Sequence, residues 1–96
     1  MDLYTIILSP NSQLDFERIV AYISNDNEQL AYSFSDSIFG YIKKQLSRFP
    51  FSGSVYKNDI LKIVYKKTVL IYYTVNEKKR TVYIVHVRRN TKPLGL

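Results

Sequence analysis

Ninety-six residues, 46% of them hydrophobic, make one domain spanning 1–96 with a single core and are too few for two. With no cysteine and one histidine there is no disulfide framework, thiolate site or histidine cluster, and nothing spaces the carboxylates for a metal, so neither metal nor cofactor is expected. The net charge of +6 is unevenly held, −2 on residues 1–48 and +8 on residues 49–96, which points to an anionic partner at the second half, nucleic acid or acidic polypeptide.

The opening Met1–Leu8 carries Asp2 and no basic leader, so it reads as a first strand rather than a secretory signal. Its apolar runs, like all others here, are far shorter than the roughly 20 residues of a membrane helix, and a cytoplasmic protein with no membrane association is expected. Ser9-Pro10 is suited to a helix entry, with Ser12 and Asp15 as an alternative cap. Phe16, Ile19, Val20 and Ile23 follow at helical spacing, which leaves Asp15, Glu17 and Arg18 to water and ends the helix around Ser24.

Asn25-Asp-Asn-Glu28 is a turn and a second start, through Asn25 with Glu28 or Asp26 with Gln29. Ala31, Phe34, Ile38, Tyr41 or Ile42, Leu46 and Phe49 continue at steps of three and four until Pro50 stops the helix. So short a turn makes the two helices an antiparallel hairpin. Gly40 inside the second helix costs about 1 kcal/mol relative to alanine, a cost that close helix packing would explain.

After a loop over Pro50–Ser54, three strand-like runs, Ile60–Lys66, Val69–Val75 and Val82–Arg89, form a three-stranded antiparallel meander and complete an α+β fold. In the middle run Val69, Ile71, Tyr73 and Val75 share one face and Leu70, Tyr72 and Thr74 the other, so both faces are largely apolar and the strand belongs in the centre, covered at least in part on each side. In the last run alternation sets Val82, Ile84, His86 and Arg88 against Tyr83, Val85, Val87 and Arg89, so the two arginines leave on opposite faces unless the backbone bends there.

A nucleophilic triad needs an acid beside its base, and the only histidine lies in a half with two carboxylates, neither near it in sequence. No phosphate-cradling glycine loop or paired-carboxylate arrangement is present. What survives is metal-free RNA cleavage, for which His86, Arg88, Arg89 and some of the nine tyrosines would supply the base or acid, the phosphate-binding cations and the stacking surface. Against this, a lone histidine among strand valines is the pattern of a packed residue hydrogen-bonded to backbone. Lys66, Lys67, Lys78 and Lys79 are equally well read as turn lysines that keep a sheet soluble. The cluster Arg88, Arg89 and Lys92 is the better candidate for binding an anionic target.

The order of elements, with Asp15-Phe-Glu-Arg-Ile-Val-Ala-Tyr-Ile23, then Ala31 and Phe34, Leu46 through Pro50 and Gly53, Ile71-Tyr-Tyr-Thr-Val75 and Val85-His-Val-Arg-Arg-Asn90, resembles the RelE/ParE superfamily of bacterial type II toxin–antitoxin toxins over almost the whole chain. The resemblance implies a growth-inhibiting toxin, of the kind that stabilises plasmids, neutralised by a cognate antitoxin whose disordered segment folds onto it. RelE-like members cleave messenger RNA on the ribosome with an arginine on the central meander strand, basic residues on the strand before it, an arginine after the last strand and a tyrosine or histidine near the C-terminus. Here Leu70 takes the place of the central arginine and the tail Asn90–Leu96 has neither tyrosine nor histidine, while Lys62 and Arg89 fall at or near two of the other positions. The ending His86-x-x-Arg89 is closer to the ParE-like branch, which implies a non-enzymatic inhibitor of DNA gyrase with Arg88, Arg89 and Lys92 on the target. The alternatives are a RelE-like endoribonuclease using His86, Arg89 and Lys62, and a non-toxic protein-interaction module of the same fold; a homodimer is compatible with any of these.

Overall fold

A computed structural model describes residues 3–90. Strand β1 (Thr5–Leu8) leads into helices α1 (Pro10–Ser24) and α2 (Glu28–Arg48), and four further strands follow: β2 (Ser54–Lys57), β3 (Ile60–Tyr65), β4 (Val69–Asn76) and β5 (Thr81–Arg89). The sheet order is β1-β5-β4-β3-β2. Successive strands from β2 to β5 pair antiparallel, while β1 runs parallel to β5 from Thr5↔Thr81 to Leu8↔Ile84. The expected meander is present, and β2 extends it by one edge strand that the loop reading of Pro50–Ser54 did not include.

Ser9 caps α1 by accepting from Ser12 N–H, with Pro10 in the first turn, so the first of the two expected caps is the one used. In α2 the cap is Asn27, whose side chain accepts from Leu30 N–H at 3.0 Å, and not Asn25 or Asp26 as expected. Asn25 is instead still helical and donates back to Ala21 O, whereas Asn27 has the extended backbone a cap requires. Both helices lie on one face of the sheet. Phe16, Ile19, Ile38, Ile42 and Leu46 meet Ile63, Tyr65, Val69, Ile71, Tyr73, Val82, Ile84 and Val87 in one buried cluster.

Three sequence expectations change. Gly40 is exposed and a Cβ there meets nothing within 4 Å, so it makes no close helix contact. Phe49 lies past the helix end and is exposed rather than in the stripe. β4 is central as expected, but among the described residues no helix covers the face holding Leu70, Tyr72 and Thr74, which are half-buried.

A single irregularity in β5 decides what the open face displays. Tyr72 pairs with His86 but Tyr73 pairs with Ile84, so Val85 is an extra residue bulged out of the ladder. Strict alternation from the buried Val82 and Ile84 would carry His86 and Arg88 into the core. The bulge inverts the pattern: Val87 is buried with Val82 and Ile84, while His86 and Arg88 join Tyr83 on the open face. The arginines still leave on opposite faces, each on the side opposite to that alternation assigns.

Candidate functional site on the open sheet face

β1 ends opposite Ile84, so the second half of β5 lacks a strand partner on that side. The start of α1 stands in for it. Ser9 N–H donates to Ile84 O at 3.0 Å and Ser9 Oγ donates to Val85 O at 3.0 Å. Two turns further on, Asp15 Oδ2 accepts from Val87 N–H at 3.0 Å and lies 3.0 Å from His86 Nδ1. A carboxylate oxygen accepts, so Nδ1 is the donating nitrogen and Nε2 is left for the open face. Asp15 is therefore not left to water, since its side chain keeps only 17% of its exposure. His86 is not packed against backbone either: its partner is this carboxylate, 71 residues away in sequence, and its side chain is 37% exposed.

Register then assembles the face. Ser54, Lys62, Tyr72 and His86 lie opposite one another across β2, β3, β4 and β5, and Val64, Leu70 and Arg88 form the adjacent row. Lys62 alternates with the buried Ile63, which sets it on the open side. The Tyr56 ring meets that of Tyr72 edge-on with centroids 4.8 Å apart. Tyr56, Ile60, Tyr72, Val85, His86 and Arg88 line a cavity of about 150 Å³.

Of the expected site residues, Lys62, His86 and Arg88 thus share one face. Arg89 does not: its guanidinium stacks 4.0 Å from the centroid of the Tyr22 ring of α1, on the helix side. Lys92 lies outside the described residues. Lys66 and Lys67 are the central residues of the β3–β4 turn with φ of 49° and 63°, closed by Thr68 N–H donating to Tyr65 O, which gives them a backbone role. Among the described residues no group of three or more histidine, cysteine or acidic side chains is placed to hold a metal ion, and no helix is long and apolar enough to cross a membrane.

Asp15, Tyr56 and Tyr72 were missed as site residues. Tyr72 was legible in part, being on the apolar second face of the central strand. Asp15 gave no local signal, because its role exists only once α1 lies along β5. Behind the face, Tyr73 is buried on the core side and its hydroxyl accepts from Gly53 N–H at 3.0 Å. Burial raises its phenol above the ordinary range, a shift opposed by the Gly53 and Ser52 hydrogen bonds.

No curated protein sequence matches the chain significantly. The fold is shared with solved structures of low identity. A toxin–antitoxin complex, RelBE2 of Mycobacterium tuberculosis, superposes with a TM-score of 0.71 at 16% identity, covering 96% of this chain and 97% of that one. The chromosomal ParDE system of P. aeruginosa gives 0.75 at 12% identity, over 91% of this chain and 96% of that one. A conserved hypothetical protein of Helicobacter pylori gives 0.55 at 15% identity, over 94% and 98%. Residues 6–92 match the model of the ParE toxin of the type II parDE toxin–antitoxin system, and on that match the chain belongs to the ParE toxin family.

Proposed function

We propose that this toxin is neutralised by a cognate antitoxin and, when free, inhibits DNA gyrase without cleaving a substrate. The observation that carries this reading is Leu70. It occupies the middle of the open face, between Val64 and Arg88, where the resemblance to RelE-like nucleases would require an arginine to stabilise charge on a phosphate. An aliphatic side chain there supports contact with a protein surface rather than catalysis. The apolar groove between β1 and α2, about 570 Å³ and lined by Leu3, Tyr4, Ile6, Leu8 and Phe39, is suited to an antitoxin segment that buries it.

A second reading, ribosome-dependent cleavage of messenger RNA, is favoured by one fact: Lys62, Tyr72 and His86 stand in a single row. Expression without antitoxin tests both. The gyrase reading expects DNA damage or replication arrest with messenger RNA intact, and inhibition of supercoiling by the purified toxin. Cleavage mapped to the ribosomal A site would replace it with the nuclease reading. Unimpaired growth with folded toxin that still binds antitoxin would leave only the interaction module.

A further inference from the structure

We propose that the open sheet face docks an acidic amphipathic helix of the toxin's protein target along β4, with the helix's apolar stripe on Leu70, Tyr72 and Val64 and its flanking carboxylates on Lys62 to one side and Arg88 to the other. This rests on the reading of Leu70 as a protein contact and deepens it by giving the chemistry of what covers the face.

The face is an apolar track between two cationic borders. Leu70 and Tyr72 follow one another on the open side of β4, Lys62 is paired with Tyr72 from β3, and Arg88 is paired with Leu70 from β5. Two strand spacings separate β3 from β5, roughly 10 Å, which is about the width of an α-helix with its side chains. A helix laid along β4 therefore sets the residues on both flanks of its apolar stripe above the two borders at once. An extended segment directs one line of side chains toward the sheet and cannot reach both. Val64, 42% exposed and paired with Leu70 from β3, widens the track. The cavity of about 150 Å³ between Tyr56, Tyr72, Val85 and Arg88 has room for one anchoring side chain of the helix.

Charge fixes the sign of the partner. Neither Lys62 nor Arg88 has a carboxylate partner among the described residues, and Asp15 is already committed to His86 and Val87. A second copy of this chain would set the same cations against themselves. A nucleic acid would match the cations but hold its charged backbone against Leu70 and Val64, whereas an apolar centre with charges at its edge is the ordinary layout of a protein interface.

The test uses the full-length toxin with designed peptides, so that its outcome does not depend on gyrase. A fluorescein-labelled helical peptide with leucines at helical spacing and glutamates on both flanks is titrated by anisotropy. Beside it are a scrambled peptide of the same composition, a peptide with lysine flanks, and a single-stranded DNA decamer as competitor. The toxin is expected to bind the glutamate-flanked helix in preference to the scrambled one, with the largest ¹⁵N NMR amide shifts on β4. Leu70→Asp should weaken binding at least about thirtyfold, the level of a central interface residue. Val64→Asp takes its place if circular dichroism shows the first variant unfolded. Lys62→Glu with Arg88→Glu should weaken the glutamate-flanked helix at least about tenfold and strengthen the lysine-flanked one, a reversal that loss of stability does not produce. No binding, equal binding of the scrambled peptide, binding unaltered by the aspartate variant, absence of the reversal, or displacement by the decamer as effective as by unlabelled peptide at equal charge would each overturn the proposal, the last in favour of a nucleic acid. Inhibition of supercoiling is measured separately on the same variants. Full inhibition by a variant that no longer binds the helix would overturn the proposal and leave the gyrase reading in place, whereas the reversal in a toxin that does not inhibit gyrase would remove the gyrase reading alone.

Discussion

Replacing Asp15 by alanine removes an oxygen that accepts two hydrogen bonds, from Val87 N–H and from His86 Nδ1, each at 3.0 Å. Val87 is 2% exposed, so its amide finds no water in place of the carboxylate. A buried donor left without a partner costs about 1–3 kcal/mol, and the lost bond from the exposed imidazole adds less. The expected destabilisation is about 2–3 kcal/mol, or roughly 10–20 °C in melting temperature for a domain this size. Asp15→Asn keeps an oxygen in the same position and should cost about 1 kcal/mol or less, since only the charge assistance is lost. Urea unfolding followed by circular dichroism measures both, and hydrogen exchange at Val87 locates the effect. In a double-mutant cycle with His86→Ala, the pair should show a coupling of at least about 0.5 kcal/mol. If Asp15→Ala unfolds within 0.5 kcal/mol of the parent, roughly the surface-site range, then α1 is not closing the free half of β5 and the orientation of His86 has another cause.

Gly40→Ala should stabilise the toxin by about 0.5–1 kcal/mol, because the added methyl meets nothing and the helix gains propensity; a lower melting temperature would show a contact there. Gly53→Ala should do the reverse, by about 2–3 kcal/mol, since a Cβ would stand 2.6 Å from the Tyr73 hydroxyl and 2.7 Å from Lys62 O; a neutral change in urea midpoint would contradict this packing. Lys66→Asn with Lys67→Gly, suited to two successive left-handed residues, should stabilise by about 1 kcal/mol in thermal melts, and no gain would mean the turn is already relaxed. Tyr73 supplies a pH test: the unfolded chain loses this proton from about pH 10 upward while the buried phenol keeps it. The folded state then binds more protons and its stability falls as pH rises through that window, so the drop in urea midpoint between pH 8 and pH 11 should be smaller in Tyr73→Phe than in the parent.

What the sequence made legible was what period and punctuation encode locally. Phe16 and Ile19 at helical spacing, Ser9-Pro10 at the entry, Pro50 at the exit and the alternation of Val69, Ile71 and Tyr73 each point to the observed element without reference to any other part of the chain. β2 is hard to read because Ser54–Lys57 is a four-residue edge, exposed throughout, with no buried face; its one signal is the two-residue turn Asn58-Asp59, where Asn58 has φ of 52°. Asp15 escaped because a carboxylate on an amphipathic helix looks solvated until the helix is laid along a strand.

The bulge at Val85 is the deeper case. Nothing in Val-Tyr-Ile-Val-His-Val-Arg-Arg marks an extra residue, and a run of alternating valines favours an unbroken ladder. Burial decides against it. With Val82 and Ile84 in the core, an unbroken strand would put His86 and then Arg88 beneath the helices and Val87 on the open face, at a cost of several kcal/mol for an unpaired buried cation. One inserted residue at Val85 exchanges these sides, burying Val87 and freeing the histidine and arginine. The displaced ladder then needs a new partner for the Val87 amide, and Asp15 supplies it with the same oxygen that orients His86. The fold's solution to a packing conflict and the assembly of the charged, aromatic face are therefore one event. Deleting Val85 should therefore let plain alternation keep Ile84 and Val87 in the core and His86 and Arg88 on the open face, so the variant is expected to stay folded with the face in place by urea unfolding and hydrogen exchange at Val87; unfolding, or burial of His86, would show that the bulge itself is required.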